Sequence, residues 1–327
     1  MKKTDSFNHF TFEMFKTIDS PCTIRNELEN GYAEITIYPF LPGIIVTLND
    51  VHAPEMPSGS YLHDKDIMLI NYCIEGRCEF RISDNEYRYV KDKFTSIGSL
   101  IVSDRFYYPY ANYRGFEIYI YKKLFTEETF RILDLFHINI DDLYRKYNNR
   151  ENLSILKTDM QCQRVWAELY AEKNPDRGLL LLSVLKILHF FSNTDSITPA
   201  NALYLTKWQA GLAKEVREIL TRDISRHISM REISRQLNVS ETSLRNYFFA
   251  MFGMSVSEYM QEERLKKSSA LLRATQMPIS EIAASCGFSN QGRFAGIFKE
   301  RYGSTPLEYR KMLMGADPIN NPPFAKH

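Results

Sequence analysis

Residues 230–240 read MREISRQLNVS, and residues 279–289 read ISEIAASCGFS. Laid over each other, the two stretches place Glu232 on Glu281 and Ser240 on Ser289. Beyond this stretch the offset between the copies grows by one residue, and the matched pairs include Leu244 with Phe294, Phe248 with Phe298, and Gly253 with Gly303. A unit of about 50 residues that occurs twice, each time with a helix–turn–helix pattern, predicts a duplicated helix-turn-helix domain.

The turn inside each copy is marked by residues that start and stop helices. Ser229 and Glu232 have the spacing of a capping box, so a helix is expected from there to Leu237. Asn238 in the first copy and Gly287 in the second stand where the chain must turn with a positive φ. Each copy is therefore expected to contain two short helices at an angle to each other.

The helix after each turn has an apolar back and a polar front. In the first copy it covers residues 240–252 and is expected to begin at Ser240 as N-cap, as Ser289 is expected to do in the second copy. The inward face carries Leu244, Phe248 and Phe252. The outward face carries Thr242, Arg245 and Asn246. This arrangement suits a recognition helix, because arginine matches the edge of guanine and asparagine the edge of adenine in the major groove.

Between the copies, Val256–Leu272 reads as one long helix with an apolar stripe. At about 1.5 Å per residue it spans about 25 Å. A spacer of this length is compatible with two recognition helices that enter successive major grooves, about 34 Å apart, on one face of DNA.

The first half of the chain has the pattern of short strands from Tyr32 to about Tyr121. These segments are rich in Ile, Val, Tyr and Phe and are separated by turn signals such as Pro42-Gly43 and Glu75-Gly76. Such a pattern predicts an antiparallel barrel or sandwich. Both faces of Ile67–Ile74 are largely apolar, so this strand is expected to be covered on both sides.

Helical periodicity follows the strands, and the predicted fold class is α+β with two domains. The third predicted helix, Arg177–Phe191, is apolar around much of its circumference, so it is either buried within its own domain or shared with a second subunit. The predicted first domain (1–200) is a regulatory or dimerisation domain with a polar N-terminal arm (1–30), a cupin-like antiparallel barrel (about 30–122) and covering helices (about 126–191). A linker (192–200), an all-α double helix-turn-helix domain (208–312) and a flexible tail (313–327) are expected to follow.

The distribution of charge differs between the two domains. The formal net charge is only +1, yet residues 209–312 carry 16 Lys and Arg against 11 Asp and Glu, and the rest carries 25 against 29. A basic module joined to a mildly acidic one suggests that the basic module meets a polyanion. A solvated charged surface would produce the same balance, so charge alone leaves both readings open.

Several function classes find no support in the sequence. The five cysteines are scattered, which favours reduced thiols in a cytoplasmic protein, and no apolar run approaches the length of a signal peptide or a membrane span. His52 and His63 lack the further ligands of a metal site. With no catalytic pattern either, the sequence predicts neither an enzyme, a cofactor nor a metal.

The second copy resembles the AraC family of bacterial transcription activators. The diagnostic pieces are Glu281-Ile282-Ala283, Gly287-Phe288-Ser289, Phe298-Lys299 and Gly303-x-Thr305-Pro306-x-x-Tyr309-Arg310. The close resemblance covers the C-terminal third of the chain. The preceding order of barrel and helices is similar to the regulatory half of that family.

The resemblance implies which residues read DNA. The positions of base contacts fall on Thr242, Arg245 and Asn246 in the first unit, and on Gln291, Gly292, Arg293, Ala295 and Gly296 in the second. Three of the latter five carry little or no side chain, so the first unit is expected to supply most of the base readout. The second unit is expected mainly to hold phosphates, through Lys299, Arg301 and the helix N-terminus at Ser289, with Gln291 and Arg293 as its readers.

The predicted function is that of a sequence-specific regulator of transcription, most simply an activator, which binds double-stranded DNA. By resemblance it contacts RNA polymerase, forms a homodimer and responds to a small-molecule effector whose identity the sequence does not reveal. One alternative makes the N-terminal half a dimerisation or protein-partner module without an effector. A third reading, a barrel enzyme with a DNA-targeting module, requires a histidine or carboxylate cluster that the sequence does not supply.

Overall fold

The computed structural model describes residues 20–57, 67–83, 85–99, 105–147, 153–172, 175–193 and 204–315. The chain divides into two units, Met1–Trp208 and Gln209–His327. Most of the predicted N-terminal arm, residues 194–200 of the predicted linker, residues 316–327 of the predicted tail and His63 lie outside the described residues.

The strands of the first unit all pair antiparallel. In the described part of the chain they are β1 (Cys22–Leu28), β2 (Gly31–Leu41), β3 (Ile44–His52), β4 (Glu55–Pro57), β5 (Ile67–Ser83), β6 (Glu86–Lys91), β7 (Phe94–Ser99), β8 (Arg105–Tyr107), β9 (Tyr113–Tyr121), β10 (Leu153–Lys157) and β11 (Tyr204–Thr206). One layer has the order β1-β2-β3-β9-β5-β7-β10, and the other has the order β4-β8-β5-β6-β11. Strand β5 belongs to both layers, because its first half pairs with β9 and β7 and its second half with β6.

The passage of β5 between the layers corrects one sequence expectation. Glu75-Gly76 was expected to be a turn between two strands, but the strand continues through it. Its pairing with β9 shifts register between Cys73 and Glu75, and Gly76 has φ +90°. A Cβ at Gly76 would lie 2.2 Å from the carbonyl oxygen of Asn112. The glycine therefore allows a bulge that bends one long strand from the first layer into the second.

Alternate residues of β5 reach two different hydrophobic cores, which confirms that this strand is covered on both sides. Ile67, Leu69 and Cys73 belong to the core between the two layers. Met68 and Ile70 belong to the core between the first layer and the helices.

Four α-helices lie in the described part of the first unit: α1 (Glu127–Leu135), α2 (Ile140–Tyr147), α3 (Met160–Ala171) and α4 (Arg177–Asn193). One face of α4 is buried within its own unit, at Leu180, Ser183, Val184, Leu185, Ile187, Leu188 and Phe191. Its exposed side includes Leu182, Lys186 and His189. Trp166 of α3 is completely buried against the first layer and anchors that helix.

The described residues of the second unit form helices joined by short turns. Its helices are α5 (Lys207–Thr221, which begins at the end of the first unit), α6 (Met230–Leu237), α7 (Glu241–Phe252), α8 (Val256–Ala274), α9 (Ile279–Ser285), α10 (Gln291–Tyr302) and α11 (Pro306–Gly315). Helices α6 and α7 form the first helix-turn-helix unit and α9 and α10 the second, with α8 between them. An antiparallel, sheet-rich unit followed by an all-helical unit confirms the predicted fold class.

Candidate nucleic-acid interface

The first helix-turn-helix unit has the local geometry that its sequence predicted. The Ser229 hydroxyl accepts a hydrogen bond from the amide of Glu232, and the Glu232 carboxylate accepts one from the amide of Ser229. Asn238 ends α6 with φ 53°. Ser240 caps α7 by accepting a hydrogen bond from the amide of Ser243. These contacts satisfy backbone groups that a helix end leaves unpaired, so they set where α6 and α7 begin.

In the second helix-turn-helix unit the predicted N-cap is wrong by one residue. Gly287 has the expected positive φ of +80°. The residue that caps α10 is Asn290, whose side-chain oxygen accepts from the amide of Arg293 at 2.9 Å, and not Ser289. The second turn is therefore longer than the first. This extra length accounts for the change in offset between the copies, because Ser240 is matched in structure by Asn290.

The end of each recognition helix repeats one arrangement. Gly253 and Gly303 end α7 and α10 in the left-handed conformation. Two residues later Ser255 starts a capping box with Glu258, and Thr305 accepts from and donates to Glu308 in the same way. Backbone and side-chain hydrogen bonds from Ser255 and Thr305 lower the pKa of the two glutamates. The duplication thus extends to the turns that lead into α8 and α11.

Aromatic packing holds the back of each recognition helix. In the first unit Phe248 is completely buried, with ring centroids 4.3 Å from Phe252 and 5.3 Å from Tyr259. In the second unit Phe298 is completely buried, 5.3 Å from Tyr309. These residues confirm the predicted apolar backs, and burial of the back leaves the opposite face of each helix toward solvent.

Most of the predicted DNA contacts lie on this exposed face. Exposed side chains in the two units include Ser240, Thr242, Arg245, Asn246, Ser289, Gln291, Arg293 and Lys299. Arg245 forms a loose ion pair with Glu241, at 3.5 Å, which costs little to break at the surface. Arg301 donates through Nε to Glu262 of α8, so this side chain also links α10 to the central helix.

The two helix-turn-helix units share a groove. A cavity of about 610 Å³ opens between them, and its lining includes Arg245 of α7 and Arg293 of α10. Ser289 and Asn290 also line it, next to the N-terminus of α10. Among the described residues, no Asp or Glu lines the groove. The structure therefore brings together one arginine from each recognition helix across a positively charged space.

Gly296 lies within α10, whereas Gly303 ends this helix. A Cβ added to Gly296 would meet nothing within 4 Å, and its backbone is helical. Gly303 is equally open but has φ +76°. We expect Gly296→Ala to raise the free energy of unfolding by about 1 kcal/mol, because alanine loses less conformational entropy in a helix. The test is urea denaturation of the full chain.

Gly303→Ala is the matched control for this substitution. It adds the same methyl group to an equally open site, but the left-handed conformation costs alanine about 1–2 kcal/mol. A loss of stability is therefore expected for Gly303→Ala. If Gly296→Ala were as destabilising as Gly303→Ala, the helical conformation at residue 296 would be refuted.

The core between the two layers of the first unit contains an unexpected polar group. Glu117 of β9 accepts hydrogen bonds from Tyr119 at 2.5 Å and from Thr47 at 3.4 Å. Asn71 lies opposite it on β5, accepts from the Tyr113 hydroxyl at 2.6 Å, and its Nδ2 has no hydrogen-bond partner in the described structure. Glu117 keeps some accessible surface, yet protein atoms surround its carboxyl group. The sequence signal for this site is a glutamate between the apolar residues Phe116 and Ile118 of β9, and the sequence did not predict its role.

Burial raises the pKa of Glu117 above its ordinary value of 4.5, against hydrogen bonds that lower it. A carboxyl group whose pKa is higher in the folded than in the unfolded state contributes stability below the unfolded pKa, and this contribution is lost as the pH rises through the folded pKa. Glu117→Gln removes the titration at constant shape. We expect the variant to gain stability relative to wild type as the pH rises from about 4 to about 8, measured by chemical denaturation. Parallel pH profiles for the two proteins would contradict the raised pKa.

Other candidate chemistry is not assembled in the described residues. No group of three or more His, Cys, Asp or Glu side chains there could hold a metal ion. His52 pairs with Asp50 at 2.9 Å and packs on Tyr32. The five cysteines are free thiols, and four of them are buried. No helix in the described ranges is long and apolar enough to cross a membrane.

Comparison with known proteins supports the helix-turn-helix assignment. A family model described as a helix-turn-helix domain matches residues 233–312. The HTH-type transcriptional activator RhaR of Yersinia pseudotuberculosis serotype O:1b (strain IP 31758) is 31% identical over 110 residues, which are 33% of this chain and 38% of the relative. The chain thus spans well under half of the length of this relative.

Comparison with solved structures gives matches over about a third of the chain or over most of it, at low TM-scores. A transcriptional regulator from Chromobacterium violaceum, described as having an AraC-type DNA-binding domain, is 26% identical with a TM-score of 0.30, and covers 34% of this chain and 96% of that chain. ToxT from Vibrio cholerae is 14% identical with a TM-score of 0.29, and covers 86% of this chain and 99% of that chain.

Two helix-turn-helix units on one long helix, with an arginine from each recognition helix in one groove, define a duplicated DNA-binding domain. The matched family model and relative confirm the helix-turn-helix assignment and the resemblance of this part of the chain to AraC family transcription regulators.

Proposed function

We propose that this protein is a sequence-specific regulator of transcription that binds duplex DNA with both helix-turn-helix units. The observation that carries the proposal is the shared groove, into which Arg245 and Arg293 project from different recognition helices. A 19-residue α8 is about 28 Å long, which suits two readers in successive major grooves.

The two helix-turn-helix units have different roles in this proposal. Thr242, Arg245 and Asn246 form a reading surface in the first unit, because all three are exposed beside an apolar back. The second unit offers Gln291 and Arg293 for reading and Lys299 for phosphates, since Gly292 and Gly296 have no side chain. Activation by contact with RNA polymerase is part of the proposal through the family resemblance, and the relative RhaR is itself described as an activator.

The sheet-rich unit Met1–Trp208 is proposed to sense a small molecule between its two sheet layers. Support comes from Asn71, because an unpartnered amide inside an apolar core is costly unless something bonds to it. Glu117 lies opposite it on β9, and its carboxyl group already accepts from Tyr119 and Thr47. An effector that bears a hydrogen-bond acceptor would satisfy the Asn71 amide. The proposal predicts that the effector changes operator affinity or polymerase contact.

A second candidate role for the first unit is dimerisation without an effector. Its support is a groove between α1, α3 and α4, lined in part by Leu135, Phe136, Val165 and Phe190. Leu135 is 75% exposed, which is unusual for a large apolar side chain. A second copy of the chain is the proposed occupant, because DNA regulators commonly bind paired half-sites as dimers. Leu135→Asp is then expected to shift the chain from dimer to monomer in sedimentation equilibrium.

The test of the main proposal is selection of bound sequences from a random pool of duplex DNA, at fixed salt. We expect an enriched site with two conserved blocks about one helical turn apart. Repeating the selection and the affinity measurement with candidate effectors separates the two roles of the first unit. Failure to enrich any sequence would refute sequence-specific binding. The proposal places the protein in the cytoplasm with the DNA and assigns it no catalytic activity.

A further inference from the structure

The groove between the two recognition helices is lined by further basic side chains that take no part in the proposed base readout. Besides Arg245 and Arg293, its lining includes Arg226, His227 and Arg264. Arg226 and His227 are exposed and lie in the turn between α5 and α6. They belong to neither recognition helix, so they have no place in base readout. A cluster of five basic side chains without an acidic neighbour in the described lining is complementary to a polyanion.

Hydrogen bonds from α8 hold the turn that carries Arg226 and His227. Arg264 of α8 donates through Nε to the carbonyl oxygen of Ile224 at 2.9 Å, and through a terminal nitrogen to that of Arg226 at 3.5 Å. Gly287 of the second unit approaches the same point, because a Cβ there would lie 2.6 Å from the Ile224 carbonyl oxygen. The turn between α5 and α6, the central helix α8 and the turn between α9 and α10 therefore meet at one junction.

The two carboxylates nearest to this turn are already engaged in capping it. Asp223 accepts from the amide of Ser225 at 3.0 Å and from its hydroxyl at 2.6 Å. Glu232 accepts from Ser229 at the start of α6. The pKa of Glu232 is lowered, first by the hydrogen bonds from Ser229 and then by the charges of Arg226 and His227. Asp223 and Glu232 are thus held by hydrogen bonds within their own segments, and neither residue lines the groove.

The geometry of duplex DNA indicates which part of the DNA would lie over the protein groove between α7 and α10. If the two recognition helices enter successive major grooves, the minor groove between them faces the protein, with its phosphates on either side. The backbone that borders this minor groove then crosses the space between Arg245 and Arg293. This step rests on the proposed function, because it assumes that both helices bind one duplex.

We propose that the turn between α5 and α6 is a third DNA contact, which binds the phosphodiester backbone between the two major grooves through Arg226 and His227. Arg264 acts as a positioning residue, because it fixes the backbone of the turn against α8. Contacts of this kind add affinity and set the register of the protein on DNA, but they carry no base preference.

The test compares Arg226→Ala with Arg222→Ala in the full chain, using a duplex obtained by selection and a scrambled duplex of the same length. Arg222 is an exposed arginine that follows α5 and does not line the groove, so its loss changes net charge equally. For Arg226→Ala we expect a loss of affinity on the order of tenfold at 0.1 M salt, equal on both duplexes. The slope of log K against log salt should shrink by about 0.9, as for one lost phosphate contact. Arg222→Ala should leave the slope unchanged.

The variants His227→Ala and Arg264→Met extend the test. His227→Ala is expected to weaken binding to both duplexes equally. Arg264→Met should reduce the salt slope as Arg226→Ala does, while circular dichroism shows an unchanged helix content. An unchanged slope in Arg226→Ala, or the same change in Arg222→Ala, would overturn the third contact while leaving the proposed function intact. A wild-type chain that binds no duplex would overturn both.

Discussion

Replacement of Trp166 by alanine is expected to lower the free energy of unfolding of the first unit by about 3–5 kcal/mol. Trp166 is completely buried and stacks on two rings, at 5.4 Å from Tyr72 and 5.1 Å from Phe116. These two rings belong to directly paired residues of β5 and β9. Loss of the indole would therefore leave a cavity where α3 is attached to the centre of the first layer. Amide hydrogen exchange of β5 and β9 measures the effect within this unit.

Trp166→Phe is the control, because it keeps an aromatic ring against Tyr72 and Phe116. It also removes the indole N–H, which has no hydrogen-bond partner in the described structure. An unpaired buried donor costs about 1–3 kcal/mol, so its removal should offset part of the lost packing. The phenylalanine variant is thus expected to stay close to wild type. Equal exchange rates in the alanine variant and wild type would show that Trp166 does not anchor α3.

Arg245→Ala is expected to reduce discrimination between the selected operator and single-base variants at one position by about 1–3 kcal/mol, or roughly 5- to 150-fold. The physical reason is that a guanidinium can donate two hydrogen bonds to one guanine, whereas alanine accepts any base pair. The loose pair with Glu241, at 3.5 Å, does not hold the side chain back from DNA. Binding competition among operator variants at fixed salt measures the effect.

Lys299→Ala is the comparison for Arg245→Ala, because it removes one exposed cation from the other recognition helix. A phosphate contact carries no base preference, so all operator variants should weaken by the same factor, and the salt slope should shrink by about 0.9. If Arg245→Ala also weakened every variant equally, Arg245 would be a phosphate contact and the assignment of base readout to the first unit would be wrong.

Local signals were enough to predict most of the second unit. Ser229 and Glu232 form their capping box, and Asn238 and Gly287 adopt positive φ, because these features depend on contacts within a few residues. The wrong N-cap at Ser289 has the same origin. Both Ser289 and Asn290 can cap a helix, and the choice between them depends on the longer second turn.

The first unit was predicted less completely, because strands depend on partners distant in sequence. Strand β1 (Cys22–Leu28) lies within a segment expected to be a polar arm, yet it pairs along its length with β2. Strand β10 (Leu153–Lys157) pairs with β7 after two intervening helices. Neither strand has a strong pattern of its own, so the available edge of the sheet decides its structure.

The sequence by itself determined the duplication, the boundaries of most helices and the apolar backs of the recognition helices, since these follow from periodicity and from capping residues. Only the tertiary structure decided that Arg245 and Arg293 share one groove, and that Arg264 supports the turn with Arg226 and His227 beside them. These residues are spread over almost 70 positions of the chain. Their proximity is a consequence of how α8 packs both units, which no local pattern encodes.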